Sequence, residues 1–291
     1  MQTESMEPMC TISADINIPV RQVKNYRAVR IYRIEYRTQC PKPHVFECII
    51  ILCVLLVPCR LHATSIAIYR SEKMLAIAID SAFVAIGSNG QHLTTACKIN
   101  RVGDTAFAIA GLYGDEYLDL VQSAKAAIAG GGSLTEIADR FQSQTISAYK
   151  QMLCRLRQLN PTAFNTFCAN KRGLEIVFLR LDQGIPTVIV VSYLSRTRKK
   201  EIIIEPSQVS CPGTCQNRTS ATFISLGANS EIDRTLGDDP SFVAKHGLVE
   251  GLEMLVDSQI RATKDGTVAP PVTIFVMSRE QTFFVKPGIC K

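Results

Sequence analysis

The feature that most narrows the fold is the order in which hydrophobic periodicities change along the chain from residue 64 onward. Thr64 to Tyr69 (TSIAIY) and Met74 to Asp80 (MLAIAID) are short β-prone runs separated by the polar Arg70-Ser71-Glu72-Lys73, the punctuation of a hairpin. A Gly/Ser/Asn loop at residues 87–90 leads to a second pair, Leu93 to Ile99 and Ala106 to Ala110, so four strands precede any helix. From Leu112 the apolar positions Tyr117, Leu120, Val121, Ala124 and Ile128 follow a helical period that stops at Gly130-Gly131-Gly132. Ser133 and Glu136 then form a capping box for a second helix. After a loop with Pro161, strand-like runs return at Leu174 to Arg180, Thr187 to Tyr193, Glu201 to Ile204 and Thr219 to Leu226. A helix is expected from about Ser241 to Arg261, followed by a last hairpin, Val272 to Met277 with Thr282 to Val285. Strands and helices that come in blocks, not in alternating βαβ units, predict an α+β fold of two antiparallel sheets with helices outside.

Residues 1–63 obey a different rule. Seven Lys/Arg side chains between Arg21 and Lys42 precede the uncharged run Cys48 to Val57 (CIIILCVLLV), then Pro58 and, six residues after Val57, Ala63. A membrane-spanning helix needs about 20 apolar residues, so this shorter run fits the h-region of a secretory signal cut between Ala63 and Thr64. An uncleaved signal anchor and a buried strand are the competing readings, and an upstream misplacement of the start would leave the protein in the cytoplasm. The expected organisation is a leader, 1–63, and a single domain, 64–291. The expected location is outside the cytoplasm, periplasmic or secreted, with a membrane partner only if the leader stays as an anchor.

Composition excludes several classes. The chain is 46% hydrophobic and 20% charged, which provides for a full core and rules out disorder. Its formal net charge of +6 is dispersed, with no basic run interleaved with aromatics, so no nucleic-acid partner is expected. Six of the 11 cysteines follow the leader, an even number compatible with export and disulfides, with the pairing open. Cys211 and Cys215 (CPGTC) have no second Cys or His pair to complete four zinc ligands, so neither a metal nor a cofactor is expected. His92 and His246 stand in no G-x-S-x-G context, and no Gly-Lys-Ser/Thr follows the triple glycine.

Cleavage after Ala63 would begin the chain with threonine, putting a hydroxyl and a free α-amine on one residue. A threonine hydroxyl needs a base within hydrogen-bond reach, and an α-amine with a reference pKa of about 8 can serve. A lysine held as a cation by an aspartate would further favour the deprotonated nucleophile.

On these residues the chain resembles the proteasome β-subunit family of N-terminal nucleophile hydrolases. TSIAIYRSEKMLAIAIDSA is similar to that family's opening strand, turn and second strand, and Asp80 lies 16 residues after Thr64, the family's spacing. ACKINRVGDTAFAIAGLYGD resembles its lysine strand and following apolar strand, which assigns Lys98 and the oxyanion-hole glycine Gly111, with Ile109 lining the substrate pocket. ATFISLGANS resembles the strand ending Gly-Ser-Gly-Ser, and Asp265 falls 38 residues after Gly227, as the family's second aspartate does. Ala228 stands where the family has an amine-handling serine, which leaves Ser230 as the substitute, and Val268-Ala269-Pro270 replaces a Ser-Gly-Gly.

The resemblance implies a four-layer αββα sandwich, a threonine endopeptidase-like activity on peptide or protein substrates through an acyl-ester on Thr64, and a ring-like homo-oligomer. A noncatalytic scaffold or membrane-anchored subunit, and a small-molecule amidase of the same mechanism, are the alternatives. Singly, Thr64, Asp80, Lys98 and Gly111 are ordinary strand and turn residues; it is their joint spacing that points to chemistry.

Overall fold

The computed structural model describes residues 64–87, 90–115, 117–198, 201–214, 221–264 and 266–290. The leader, with its h-region at 48–57, lies outside the described residues, as do Cys215 and Asp265. The domain opens with β1 (Ser65–Arg70) and β2 (Met74–Ile79), then β3 (Ala82–Gly87) and β4 (Gly90–Thr95), then β5 (Ile99–Val102) and β6 (Thr105–Gly111). Two-residue strands β7 (Gly114–Asp115) and β8 (Leu118–Asp119) lead into helices α1 (Leu120–Ala129), α2 (Leu134–Leu159) and α3 (Pro161–Phe167). Three long strands follow, β9 (Arg172–Asp182), β10 (Ile185–Arg198) and β11 (Glu201–Cys211), then β12 (Thr222–Gly227). Helices α4 (Ser230–Asp238), α5 (Phe242–His246) and α6 (Leu248–Ala262) precede the closing hairpin β13 (Thr273–Ser278) and β14 (Thr282–Lys286).

Two five-stranded antiparallel sheets form, in the orders β12-β1-β2-β13-β14 and β11-β10-β9-β6-β5. Helix α6 covers β1, β2 and β13 on one side; α2 covers β9, β10 and β11 on the other. The sheets touch through β1 and β2 against β10, β12 against β6, and β13 against β9. The result is the expected α+β architecture in four layers, αββα.

Strand alternation explains how the layers fit. Ile66, Ile68, Leu75, Ile77 and Ile79 point between the sheets, while Ala67, Ala76 and Ala78 face the helices. The second sheet inverts the sizes: Ala106, Ala108 and Ala110 point between the sheets, opposite the isoleucines. Large side chains from one sheet thereby fill the space left by small ones from the other, as close packing requires. On the far face of the second sheet, Phe178 lies 5.8 Å, centroid to centroid, from Phe141 of α2.

Several expectations are corrected. The helix expected from Leu112 begins at Leu120, because Asp115 turns the chain by accepting Tyr117 N–H and Leu118 N–H, and Asp119 caps α1 by accepting Gln122 N–H at 3.0 Å. The expected strand Leu93 to Ile99 is two strands, β4 and β5, separated by Ala96–Lys98. The segment after Pro161 is helix α3, with Pro161 at its first position, where a missing N–H costs nothing. The single helix expected from Ser241 to Arg261 is broken at Gly247, φ 85°, and α4 was not anticipated. The capping box at Ser133 and Glu136 is present as expected.

Candidate active site

The antiparallel register of β1 and β2 pairs Ile66 with Ile79, which brings the residues flanking the hairpin ends together. Ser65 N–H donates to Asp80 Oδ1 at 2.8 Å, and Asp80 N–H donates to the Ser65 carbonyl at 3.3 Å. Ala82 N–H donates to Asp80 Oδ2 at 2.9 Å, and Ala269 N–H to the same oxygen at 3.4 Å. The backbone of the segment Val268-Ala269-Pro270 therefore reaches the aspartate.

Thr64 sits immediately before β1. Its carbonyl accepts Ala228 N–H at 2.8 Å. Gly227 lies so close that a Cβ there would fall 1.8 Å from that carbonyl oxygen, and its φ of 73° belongs to the region that favours glycine. Lys98 arrives from the link between β4 and β5. Its Nζ lies 3.0 Å from both Asp80 oxygens and 3.1 Å from Thr64 Oγ1. Thr64, Asp80 and Lys98 are 1%, 0% and 2% exposed, so the cluster is screened from water and its electrostatics are strong.

Burial governs the proton affinities. Desolvation raises the Asp80 carboxyl above the ordinary range, opposed by the Lys98 charge and by the Ser65 and Ala82 amides. Desolvation likewise lowers the Lys98 amine, opposed by the Asp80 charge and hydrogen bond. Geometry favours the charged pair, since each Asp80 oxygen holds a backbone N–H in addition to Lys98. A lysine cation so placed favours the deprotonated form of the Thr64 hydroxyl.

Gly111 ends β6 with φ 96°, and a Cβ there would lie 2.3 Å from the Gly173 carbonyl oxygen, which accepts Leu112 N–H at 3.0 Å. Only glycine suits that bend. A cleft of about 400 Å³ opens beside Lys98, lined among others by Phe83, Cys97, Tyr113, Leu118 and Val121. Ile109 is not part of this lining; it is fully buried in β6, one residue out of phase with the inward-facing Ala108 and Ala110. Ser230 is exposed at the start of α4. Asp265 lies outside the described residues.

Two features escape a reading of the sequence. Glu175, 8% exposed on β9, reaches across the sandwich so that its Oε2 accepts Gly227 N–H at 2.8 Å, and Ser192 Oγ donates to its other oxygen at 3.4 Å. A lone acid inside the apolar run LEIVFL was the available signal. The second feature is a disulfide between Cys97, next to Lys98, and Cys290. Cys211 is also disulfide-bonded, so it is not a thiolate available to zinc.

No protein-family model matches the chain. No curated protein matches it in sequence. Solved structures similar to it include a Gly-1 mutant of Anbu from Hyphomicrobium sp. strain MC1, 12% identical, covering 77% of this chain and 87% of that chain with a TM-score of 0.41. Anbu from Yersinia bercovieri, described as an ancestral beta-subunit, is 14% identical over 77% of this chain and 87% of that chain, TM-score 0.43. BPH from Thiobacillus denitrificans, in complex with epoxomicin, is 15% identical over 74% of this chain and 98% of that chain, TM-score 0.39.

Proposed function

We propose that the chain is a threonine-type N-terminal nucleophile hydrolase of the proteasome β-subunit kind that cleaves amide bonds in peptides or proteins. The observation that carries this reading is the buried contact of one lysine Nζ with both the Thr64 hydroxyl oxygen and the Asp80 carboxylate. Release of residues 1–63 by a signal peptidase during export exposes the Thr64 α-amine. The freed α-amine is the group able to take the hydroxyl proton, and the Lys98 cation held by Asp80 steadies the oxygen that is left. Thr64 Oγ then attacks the substrate carbonyl, and Gly111 N–H steadies the negative oxygen that develops. Collapse expels the amine half of the substrate, which takes up the proton, and leaves an ester on Thr64. Water resolves the ester and regenerates the hydroxyl. The substrate residue before the cut lies in the cleft beside Phe83, Tyr113 and Val121, an aromatic and aliphatic lining that suits an apolar side chain. Assembly as a homo-oligomer belongs to the same proposal, on the resemblance alone.

The test uses protein from its native host, sequenced at its terminus and treated with a β-lactone that acylates hydroxyl nucleophiles. The expected terminus is Thr-Ser-Ile-Ala, with one acyl group on Thr64 and its loss by at least about 1,000-fold in Thr64→Ala. Acylation should rise with pH through a midpoint near the α-amine's reference value of about 8, as that amine loses its proton. A chain that retains Ala63, or an exposed Thr64 that never acylates, would overturn the hydrolase reading. It would instead favour the noncatalytic scaffold, to which Ala228 and the exposed Ser230 lend support.

A further inference from the structure

Thr64 and Asp80 abut strand ends that bond directly to each other and to β12. Lys98 is held differently. It closes the three-residue link Ala96–Lys98 between β4, which among the described residues pairs only with β3, and β5, at the edge of the second large sheet. Two backbone groups of this link are fastened: Ala96 N–H donates to the Ser81 carbonyl at 3.0 Å, and the Lys98 carbonyl accepts Asn100 Nδ2 at 3.4 Å. Between them Cys97 is bonded to Cys290, with Cα atoms 4.8 Å apart across 193 residues of sequence. The far anchor is firm. Cys290 N–H donates to the Pro287 carbonyl at 2.6 Å, and Thr273 Oγ1, at the start of β13, donates to the same carbonyl at 3.3 Å. Gly288 allows this turn, since a Cβ there would lie 2.5 Å from Thr273 Oγ1. The disulfide thus ties the segment that carries the lysine to the sheet that carries the nucleophile and the aspartate. Its two ends differ in access: Cys97 is exposed and lines the cleft, whereas Cys290 is buried.

We propose that the Cys97–Cys290 disulfide is a redox-sensitive clasp that positions Lys98 on Thr64, so that a dithiol entering by the cleft unfastens the site. This rests on the reading of Thr64 as the nucleophile. A thiolate of the dithiol attacks Cys97 Sγ, forms a mixed disulfide and expels the Cys290 thiolate, which takes a proton. The second thiolate of the same dithiol attacks its own sulfur in that mixed bond and expels the Cys97 thiolate, which is protonated in turn. The dithiol is oxidised to a cyclic disulfide, and the protein disulfide is reduced to two thiols. Lys98 then loses the covalent restraint one residue away, and a catalytic group displaced by about 1 Å costs on the order of 100-fold in rate.

The deciding experiment compares the mature chain, untreated and reduced with dithiothreitol, with a Cys97→Ser/Cys290→Ser variant that leaves Cys211 untouched. Amide hydrogen exchange at residues 96–98 is read beside β-lactone acylation of Thr64. In the variant, exchange at Ala96 should speed up while amides of β9 and β10 stay protected, and acylation should slow by at least about 10-fold. Reduction of the untreated chain should reproduce both effects. In a Lys98→Met background, removing the two cysteines should change acylation no further, which a general loss of stability would not produce. Unchanged exchange at 96–98, or equal acylation with and without the disulfide, overturns the proposal. If Thr64 acylates in no form, the nucleophile reading fails, and exchange at residues 96–98 alone decides whether the disulfide clasps the lysine segment.

Discussion

The two ends of β1 make an instructive pair. Thr64 stands before it and Arg70 ends it, and alternation aims both into the layer between the sheets, in phase with Ile66 and Ile68. Both ends bury a cation, with Lys98 and Arg70 each 2% exposed. At the Thr64 end the cation meets a carboxylate and a hydroxyl, and the carboxylate is itself held by backbone amides. At the Arg70 end, Nε donates to the Pro186 carbonyl at 2.9 Å, and Nη1 has no hydrogen-bond partner among the described residues. Burial is therefore not what distinguishes a candidate site. What does is a buried charge whose partners converge on one hydroxyl.

The comparison can be broken first at the Thr64 end. Lys98→Met leaves the Asp80 carboxylate buried without its cation and should cost about 3–5 kcal/mol of stability, and adding Asp80→Asn should recover only part of that, because each Asp80 oxygen accepts a backbone N–H and the Asn amide nitrogen cannot. Chemical denaturation of both variants checks this. A double variant as stable as the parent would mean that the backbone amides do not need both Asp80 oxygens.

A smaller effect is expected at Gly227, whose φ of 73° and closeness to the Thr64 carbonyl exclude a side chain. Gly227→Ala should lose about 1–3 kcal/mol in backbone strain, and β-lactone acylation should fall with it, because β12 must withdraw from Thr64. Thermal unfolding and acylation rates, measured side by side, test whether the two losses travel together.

The smallest effect belongs to the Arg70 end. Arg70→Met exchanges a costly desolvation for one lost hydrogen bond and should leave stability within about 1 kcal/mol of the parent. Acylation at Thr64 should be unchanged. A loss as large as that of Lys98→Met would show that the two ends are not as different as their hydrogen bonds indicate.

Much of the site was legible because it is local. The Ile/Ala alternation in TSIAIY and MLAIAID marks two strands with one large and one small face, and a hairpin of that length can only bring Thr64 and Asp80 together. Lys98 was found by resemblance, although the strand expected to carry it is a link between two strands. The surroundings of Ser230 and Ile109 were not legible: α4 begins at Ser230, which is exposed, and Ile109 is fully buried in β6. Glu175 and the Cys97–Cys290 bond connect distant parts of the chain, and neither leaves a periodic trace.

By itself the sequence determined which runs become strands and helices and which face of each is apolar, because these depend on side chains two to four positions apart. It also determined that a threonine and an aspartate meet at one hairpin. Tertiary structure alone decided which carboxylate holds Gly227, which cysteine clasps the lysine segment, and which buried cation finds partners. Those choices depend on how two sheets are stacked and registered, and contacts across 34 residues, Thr64 to Lys98, or 193, Cys97 to Cys290, are set by packing and not by any local pattern.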